Sequence, residues 1–118
     1  MKLLALSQLL ALTALSLAYK PVFMMHGVSS DYKEMLTIKA MLNNRSTVAT
    51  SLDLYNGEVE SLVPLQLQVD GIIREIRALV AANRTLYKGG FHFCCKSQGG
   101  MTCRTVIEQV LALPLPLP

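Results

Sequence analysis

The stretch Phe91-His92-Phe93-Cys94-Cys95-Lys96-Ser97-Gln98-Gly99-Gly100 constrains the fold more than any other part of the chain. An apolar run leads into a serine, glycines follow, and a helical pattern begins at once, which describes a strand, a sharp turn and a helix. Where a serine occupies such a turn its backbone is strained, and its neighbours must be small because larger side chains would meet the strand or the helix. The usual spelling of this nucleophile elbow is Gly-x-Ser-x-Gly. Here Cys95 stands at the first glycine position and Gly99 at the second, and cysteine is itself small. The same letters also spell a Ser-Gly-Gly turn with no chemistry attached.

Upstream, Val22-Phe23-Met24-Met25 is a short apolar run stopped by His26-Gly27, the pattern of a buried strand ending in a loop. Ser29, Ser30 or Asp31 can cap a helix whose apolar positions run from Met35 to Leu42, ending at Asn43 and Asn44. Thr47 to Leu54 is rich in β-branched and apolar residues and reads as a second strand, halted at Asn56-Gly57. Leu62, Leu65, Val69, Ile72, Ile76 and Leu79 then recur at steps of three and four, one face of a long helix with Ser61 as cap and Pro64 in its first turn. Gly89-Gly90 breaks the chain, Phe91 to Cys95 forms a third strand, and Gly99 to Leu113 a final helix. Three strands alternating with three helices predict βαβ units and an α/β architecture with a parallel sheet. In such sheets ligands gather at the carboxyl ends of the strands, and the loops holding His26-Gly27 and Ser97 both fall on that edge.

Met1 to Ala18 reads as a secretory signal peptide: Lys2, an apolar run from Leu3 to Leu15, then small residues before Tyr19. Ser7, Gln8, Thr13 and Ser16 dilute a run already short of the roughly 20 apolar residues a membrane span wants, so no stable span is predicted. Without that segment roughly 100 residues remain, one small domain or part of a larger one. The chain carries a net charge of +3, of which Lys2 supplies one. Its basic residues are scattered and lack interleaved aromatics, which argues against a nucleic-acid partner. Asn44-Arg45-Ser46 and Asn83-Arg84-Thr85 are glycosylation sequons at predicted turns, suited to a product of the secretory pathway, the lysosome lumen or the extracellular space. Cys94, Cys95 and Cys103 lack metal-ligand spacing and histidine partners, so no metal site is predicted.

The chain resembles the palmitoyl-protein thioesterases, lysosomal α/β-hydrolases that cleave fatty acyl thioesters. The matching stretches are Tyr19-Lys20-Pro21-Val22 leading to His26-Gly27, Leu52-Asp53-Leu54-Tyr55-Asn56-Gly57, Glu60-Ser61-Leu62, Pro64-Leu65, Gln68-Val69, and Cys95-Lys96-Ser97-Gln98-Gly99-Gly100 with Cys103-Arg104. They cover most of residues 19 to 110. The resemblance implies residues 19–113 are the N-terminal part of an α/β-hydrolase fold, acting without a cofactor on a fatty-acyl thioester, either an S-acylated protein or acyl-CoA. It implies Ser97 as nucleophile, the Val28 and Gln98 amides as oxyanion hole, and His26, Gly27, Gly99 and Gly100 as motif residues. It also points to a Cys95–Cys103 bridge, where the residues alone leave three buried thiols equally open. Lys96 departs from the family pattern, which usually has an aromatic residue before the serine.

Thioester attack needs a histidine base, an acid to orient it and two amides aimed at the oxyanion. No histidine follows Ser97. His26 falls in the oxyanion loop and His92 five residues before the serine on a strand, while Asp31, Asp53 and Asp70 read as a helix cap, a strand end and a helix-surface position. The triad is therefore expected to be incomplete in this chain. Leu113-Pro114-Leu115-Pro116-Leu117-Pro118 favours polyproline II, and residues 114–118 read as the tail of a truncated or spliced product. Two alternatives stand beside the thioesterase: a non-catalytic secreted or binding product, and a lipase or esterase of the same fold.

Overall fold

A computed structural model describes residues 19–112; the predicted signal peptide and the Leu-Pro tail lie outside the described residues. Strand β1 (Val22–Met25) is followed by a 3-10 turn (Tyr32–Met35) and helix α1 (Leu36–Asn43), then strand β2 (Ala49–Ser51). Helices α2 (Gly57–Glu60), α3 (Leu65–Ala82) and α4 (Arg84–Tyr87) lead to strand β3 (His92–Cys95) and helix α5 (Gln98–Ala112). The strands form one parallel sheet in the order β2-β1-β3. This is the α/β arrangement the sequence predicts, and it matches the N-terminal part of an α/β-hydrolase fold.

Alternation along β1 assigns the two faces, because successive side chains of a strand point to opposite sides. Phe23 and Met25 pack with Leu52, with Val69, Ile72 and Ile76 of α3, and with Cys103 and Val106 of α5. Met24 points the other way, onto Met35 and Ala49, with Leu42 of α1 beside them. Burial of β1 on both faces explains its unbroken apolar run, the mark of a central parallel strand.

Several boundaries differ from those predicted. The second strand spans three residues, not Thr47 to Leu54. Thr47 N–H still bonds the Leu42 carbonyl across Ser46, whose φ is +59°, and beyond Leu52 the chain turns away. The long helix begins at Leu65, with Pro64 at its cap position. Ser61 instead closes the short α2, and Gln68 Nε2 reaches back to the Ser61 and Val63 carbonyls at 3.0 and 2.9 Å. Leu62 is consequently 67% exposed and is not part of the buried face. The Asn83 side chain accepts from Leu86 N–H and starts α4, a turn the sequence pattern did not show.

Candidate active site

Ser97 sits between β3 and α5 with φ +53°, in the left-handed region that a non-glycine residue enters only under constraint. Its neighbours impose that constraint. Lys96 N–H extends the sheet ladder to the Met25 carbonyl at 3.0 Å, while Gly99 N–H and Gly100 N–H turn back to the Lys96 and Ser97 carbonyls at 2.9 Å each. The chain must therefore reverse within the serine itself. Gly99 makes the reversal possible: a Cβ there would stand 2.7 Å from the Met25 carbonyl oxygen and closer still to that of His26, both rigid backbone. Gly100 has no such close neighbour.

Gly27 lies directly against the serine. A Cβ on it would be 3.0 Å from Ser97 Cβ and 3.5 Å from Ser97 Oγ, so the β1 loop passes the hydroxyl at backbone distance. That loop is pinned to the loops after β2. His26 is 2% exposed, with Nδ1 2.8 Å from its neighbour's carbonyl at Gly27 and Nε2 2.7 Å from the Leu54 carbonyl. Ser29, at φ +58°, donates its amide to Ser61 Oγ at 2.8 Å; Gly57 N–H bonds the Ser30 carbonyl at 2.7 Å; and Asn56 Oδ1 accepts from Tyr32 N–H at 3.0 Å. Among the described residues, neither the Val28 nor the Gln98 amide donates to a protein acceptor.

The remaining candidates fall elsewhere. His92 is paired with Val22 at the start of β3, exposed, and five residues below Ser97, roughly 16 Å along an extended strand. Asp31 accepts from Lys33 N–H as cap of the 3-10 turn, Asp53 from Asn56 Nδ2, and Asp70 from Gln66 Nε2. None of them bonds a histidine. Cys95 and Cys103 are joined in a disulfide, which fastens the end of β3 to the second turn of α5, and Cys94 is a free, half-buried thiol. Asn44 and Asn83 are both exposed.

One pairing gave no signal in sequence: Lys96 Nζ bonds the Glu34 carboxylate across 62 residues of chain, and Ser30 Oγ donates to the same carboxylate at 2.6 Å. The Lys96 ammonium first, and the Ser30 hydroxyl second, hold the Glu34 carboxyl below its ordinary value. Lys96, the residue before the serine, thus ties the elbow to the 3-10 turn. Among the described residues no helix is long and apolar enough to cross a membrane, and no cluster of three or more metal-ligating side chains occurs.

Comparison with known proteins shows the family. The sequence model of the palmitoyl protein thioesterase family matches residues 21–114. Lysosomal thioesterase PPT2 of Bos taurus is 36% identical over 93 residues, which cover 77% of this chain and 29% of that protein. The Homo sapiens protein of the same name is 34% identical over the same shares. Lysosomal thioesterase PPT2-B of Xenopus laevis is 32% identical over 108 residues, 90% of this chain and 36% of its own length. The chain thus spans about a third of the length of the relatives it matches, and within that span the strained serine and the glycines packed around it fall inside the matched region. The chain belongs to the palmitoyl protein thioesterase family.

Proposed function

We propose that this chain supplies the nucleophile and oxyanion hole of an acyl-thioester hydrolase acting in the lysosome or secretory pathway. The observation that carries the reading is the positive φ of Ser97 at the β3–α5 turn, with Gly27 packed against its hydroxyl. A backbone held in that region is kept by its surroundings for a reason, and here it presents an exposed hydroxyl at the carboxyl edge of the sheet.

In this reading Ser97 Oγ attacks the thioester carbonyl carbon while a base takes its proton, and the carbonyl oxygen becomes an oxyanion that accepts from the Gln98 and Val28 amides. The C–S bond then breaks, the thiol leaves with the proton from the base, and water releases the acid by the reverse sequence. Gln98 opens α5, where a helix amide has no intrahelical partner, and Val28 is exposed, so both amides are free to donate to an oxyanion. His26 is excluded as the base, because its two nitrogens are held against carbonyl oxygens, and His92 by its place at the far end of β3. The base and its orienting acid are assigned to the part of the family's length that this chain does not span. The exposed sequons Asn44 and Asn83 fit passage through the secretory pathway.

A graft tests this reading. Residues 21–112 of this chain are placed in the bovine relative instead of its matched segment, and hydrolysis of a palmitoyl thioester and of the matching oxygen ester is measured. The expected result is thioester hydrolysis that Ser97→Ala reduces by a factor on the order of 10³ or more. A folded graft whose activity survives Ser97→Ala overturns the nucleophile assignment, and preference for the oxygen ester replaces the thioesterase by an esterase.

A further inference from the structure

The two amides assigned to the oxyanion belong to different segments, Val28 to the connection after β1 and Gln98 to the start of α5, so their spacing has to be fixed by contacts between those segments. Among the described residues the backbone supplies one bond across this gap, from Lys96 N–H to the Met25 carbonyl, and it lies at the very end of the strands. Further along, the connection is tied away from the elbow: the Ser29 amide donates to Ser61 Oγ and the Ser30 carbonyl accepts from Gly57 N–H, both in the chain that follows β2. A single side-chain bond among the described residues runs to the elbow instead, that of Lys96 Nζ with Glu34.

The 3-10 turn that carries Glu34 is itself fixed to the sheet. Met35 is buried against Met24 and Ala49, the Tyr32 carbonyl accepts from Ser51 Oγ at 2.7 Å, and the Tyr32 amide donates to Asn56 Oδ1 at 3.0 Å. From that base the carboxylate gathers donors from both segments: Ser30 Oγ donates to Oε2 at 2.6 Å and Lys96 Nζ to Oε1. The Gly27 amide faces the same group, and adds to the larger effects of the Lys96 ammonium and the Ser30 hydroxyl in keeping the carboxyl below its ordinary value. Gly27 and Ser30 stand on either side of Val28, and Lys96 stands two residues before Gln98. One carboxylate therefore brackets the first oxyanion amide and holds the residue that leads into the second.

We infer that Glu34 and Lys96 are positioning residues whose pairing sets the distance between the Val28 and Gln98 amides, and with it the width of the oxyanion hole. The inference rests on the thioester-hydrolase reading for the role of those two amides. An ion pair that reaches solvent adds little to stability, so the melting temperature does not separate this role from that of an ordinary surface pair. Turnover does, because oxyanion donors work within about 3 Å of the developing charge and a displacement of about 1 Å is costly to the rate.

Two measurements test the pair. In the bovine graft, Glu34→Gln and Lys96→Gln are each expected to lower kcat for the palmitoyl thioester about tenfold while KM stays within about twofold. The double variant should lose no more than either single one, since both remove the same contact, and Lys96→Arg should recover most of the rate. Asp70→Asn, on the surface of α3, should change nothing. The second measurement needs no turnover: nitrogen-15 amide spectra of the whole 118-residue chain, read crosswise between the segments. Glu34→Gln should shift the Gln98 amide signal and Lys96→Gln the Val28 signal, with Lys96→Arg leaving Val28 in place. Unchanged kcat, a rise in KM alone, or additive losses in the double variant would overturn the inference, as would Val28 and Gln98 signals that stay put in both variants. A graft whose hydrolysis ignores Ser97→Ala strikes the nucleophile assignment instead, and the amide signals then decide the spacing by themselves.

Discussion

At the amino end of the sheet, Phe23 meets Tyr87 ring on ring at 5.2 Å, Phe91 edge-on at 4.8 Å and Phe93 at 6.4 Å, with Phe91 and Phe93 in turn 5.5 Å apart. At the carboxyl end the loop after each strand contains a non-glycine residue of positive φ: Ser29 after β1, Tyr55 after β2 and Ser97 after β3. One end minimises its free energy by packing apolar rings. The other holds three residues in a sparsely populated conformation and keeps them there with hydrogen bonds and close-fitting glycines. Of the four non-glycine residues of positive φ among the described residues, three therefore sit at the edge where ligands bind in parallel sheets, and the fourth, Ser46, lies before β2 at the other end.

Substitutions at the two ends should separate these roles. Phe23→Ala removes the ring that all the others touch and should destabilise by about 3–5 kcal/mol, enough to unfold a domain of this size at ambient temperature. Urea melts followed by circular dichroism measure it, and a loss below about 1 kcal/mol would mean the aromatic cluster is not the anchor. Gly99→Ala at the other end drives a methyl group into the Met25 and His26 carbonyls. Its stability loss should be smaller, about 1–3 kcal/mol as in other overpacked sites, because α5 can shift outward. The same shift moves the Gln98 amide, so in the bovine graft thioester hydrolysis should fall far more than stability does. Equal losses in both would erase the distinction between the two ends.

The strain at Ser97 has its own signature. Ser97→Gly and Ser97→Ala both remove the hydroxyl, but only glycine occupies φ +53° without steric conflict. The glycine variant should therefore melt as the more stable of the two, by about 1 kcal/mol. The advantage is reduced somewhat by the greater freedom of glycine in the unfolded chain. An alanine variant as stable as the glycine variant would show that the turn relaxes once the hydroxyl is gone.

What was legible in sequence divides along the same line. The strands and the buried face of α3 follow from periodic apolar residues, since Val69, Ile72 and Ile76 must share one face of a helix. The elbow followed from Ser97 and its glycines, because few other residues allow a reversal there. The clamp from Ser29 to Ser61, and the pairing of Lys96 with Glu34, were not legible. They depend on which loops the fold brings together, and a serine or a lysine in a loop carries no mark of a partner 32 or 62 residues away. Ser61 shows how the error arises. Standing before an apolar run, it has the letters of a helix cap. In the fold it closes α2 and receives the Ser29 amide, while Pro64 begins α3.

The smallest expected effect concerns the Lys96–Glu34 pair, which links the carboxyl-end loops through charge instead of backbone. In the folded protein the Lys96 ammonium and the Ser30 hydroxyl hold the Glu34 carboxyl below its ordinary value, so the folded state takes up a proton less readily than the unfolded chain. The stabilisation is complete above the ordinary carboxylate range and is lost as pH falls through the depressed value. Glu34→Gln should therefore lower the melting temperature slightly at neutral pH, and the gap to the parent protein should close on strong acidification. Added salt should narrow the gap at neutral pH, since both side chains reach solvent. A gap that persists unchanged from neutral to strongly acid pH would assign the effect to lost packing at Glu34, and the carboxyl end would then be held by its hydrogen bonds and glycines without help from charge.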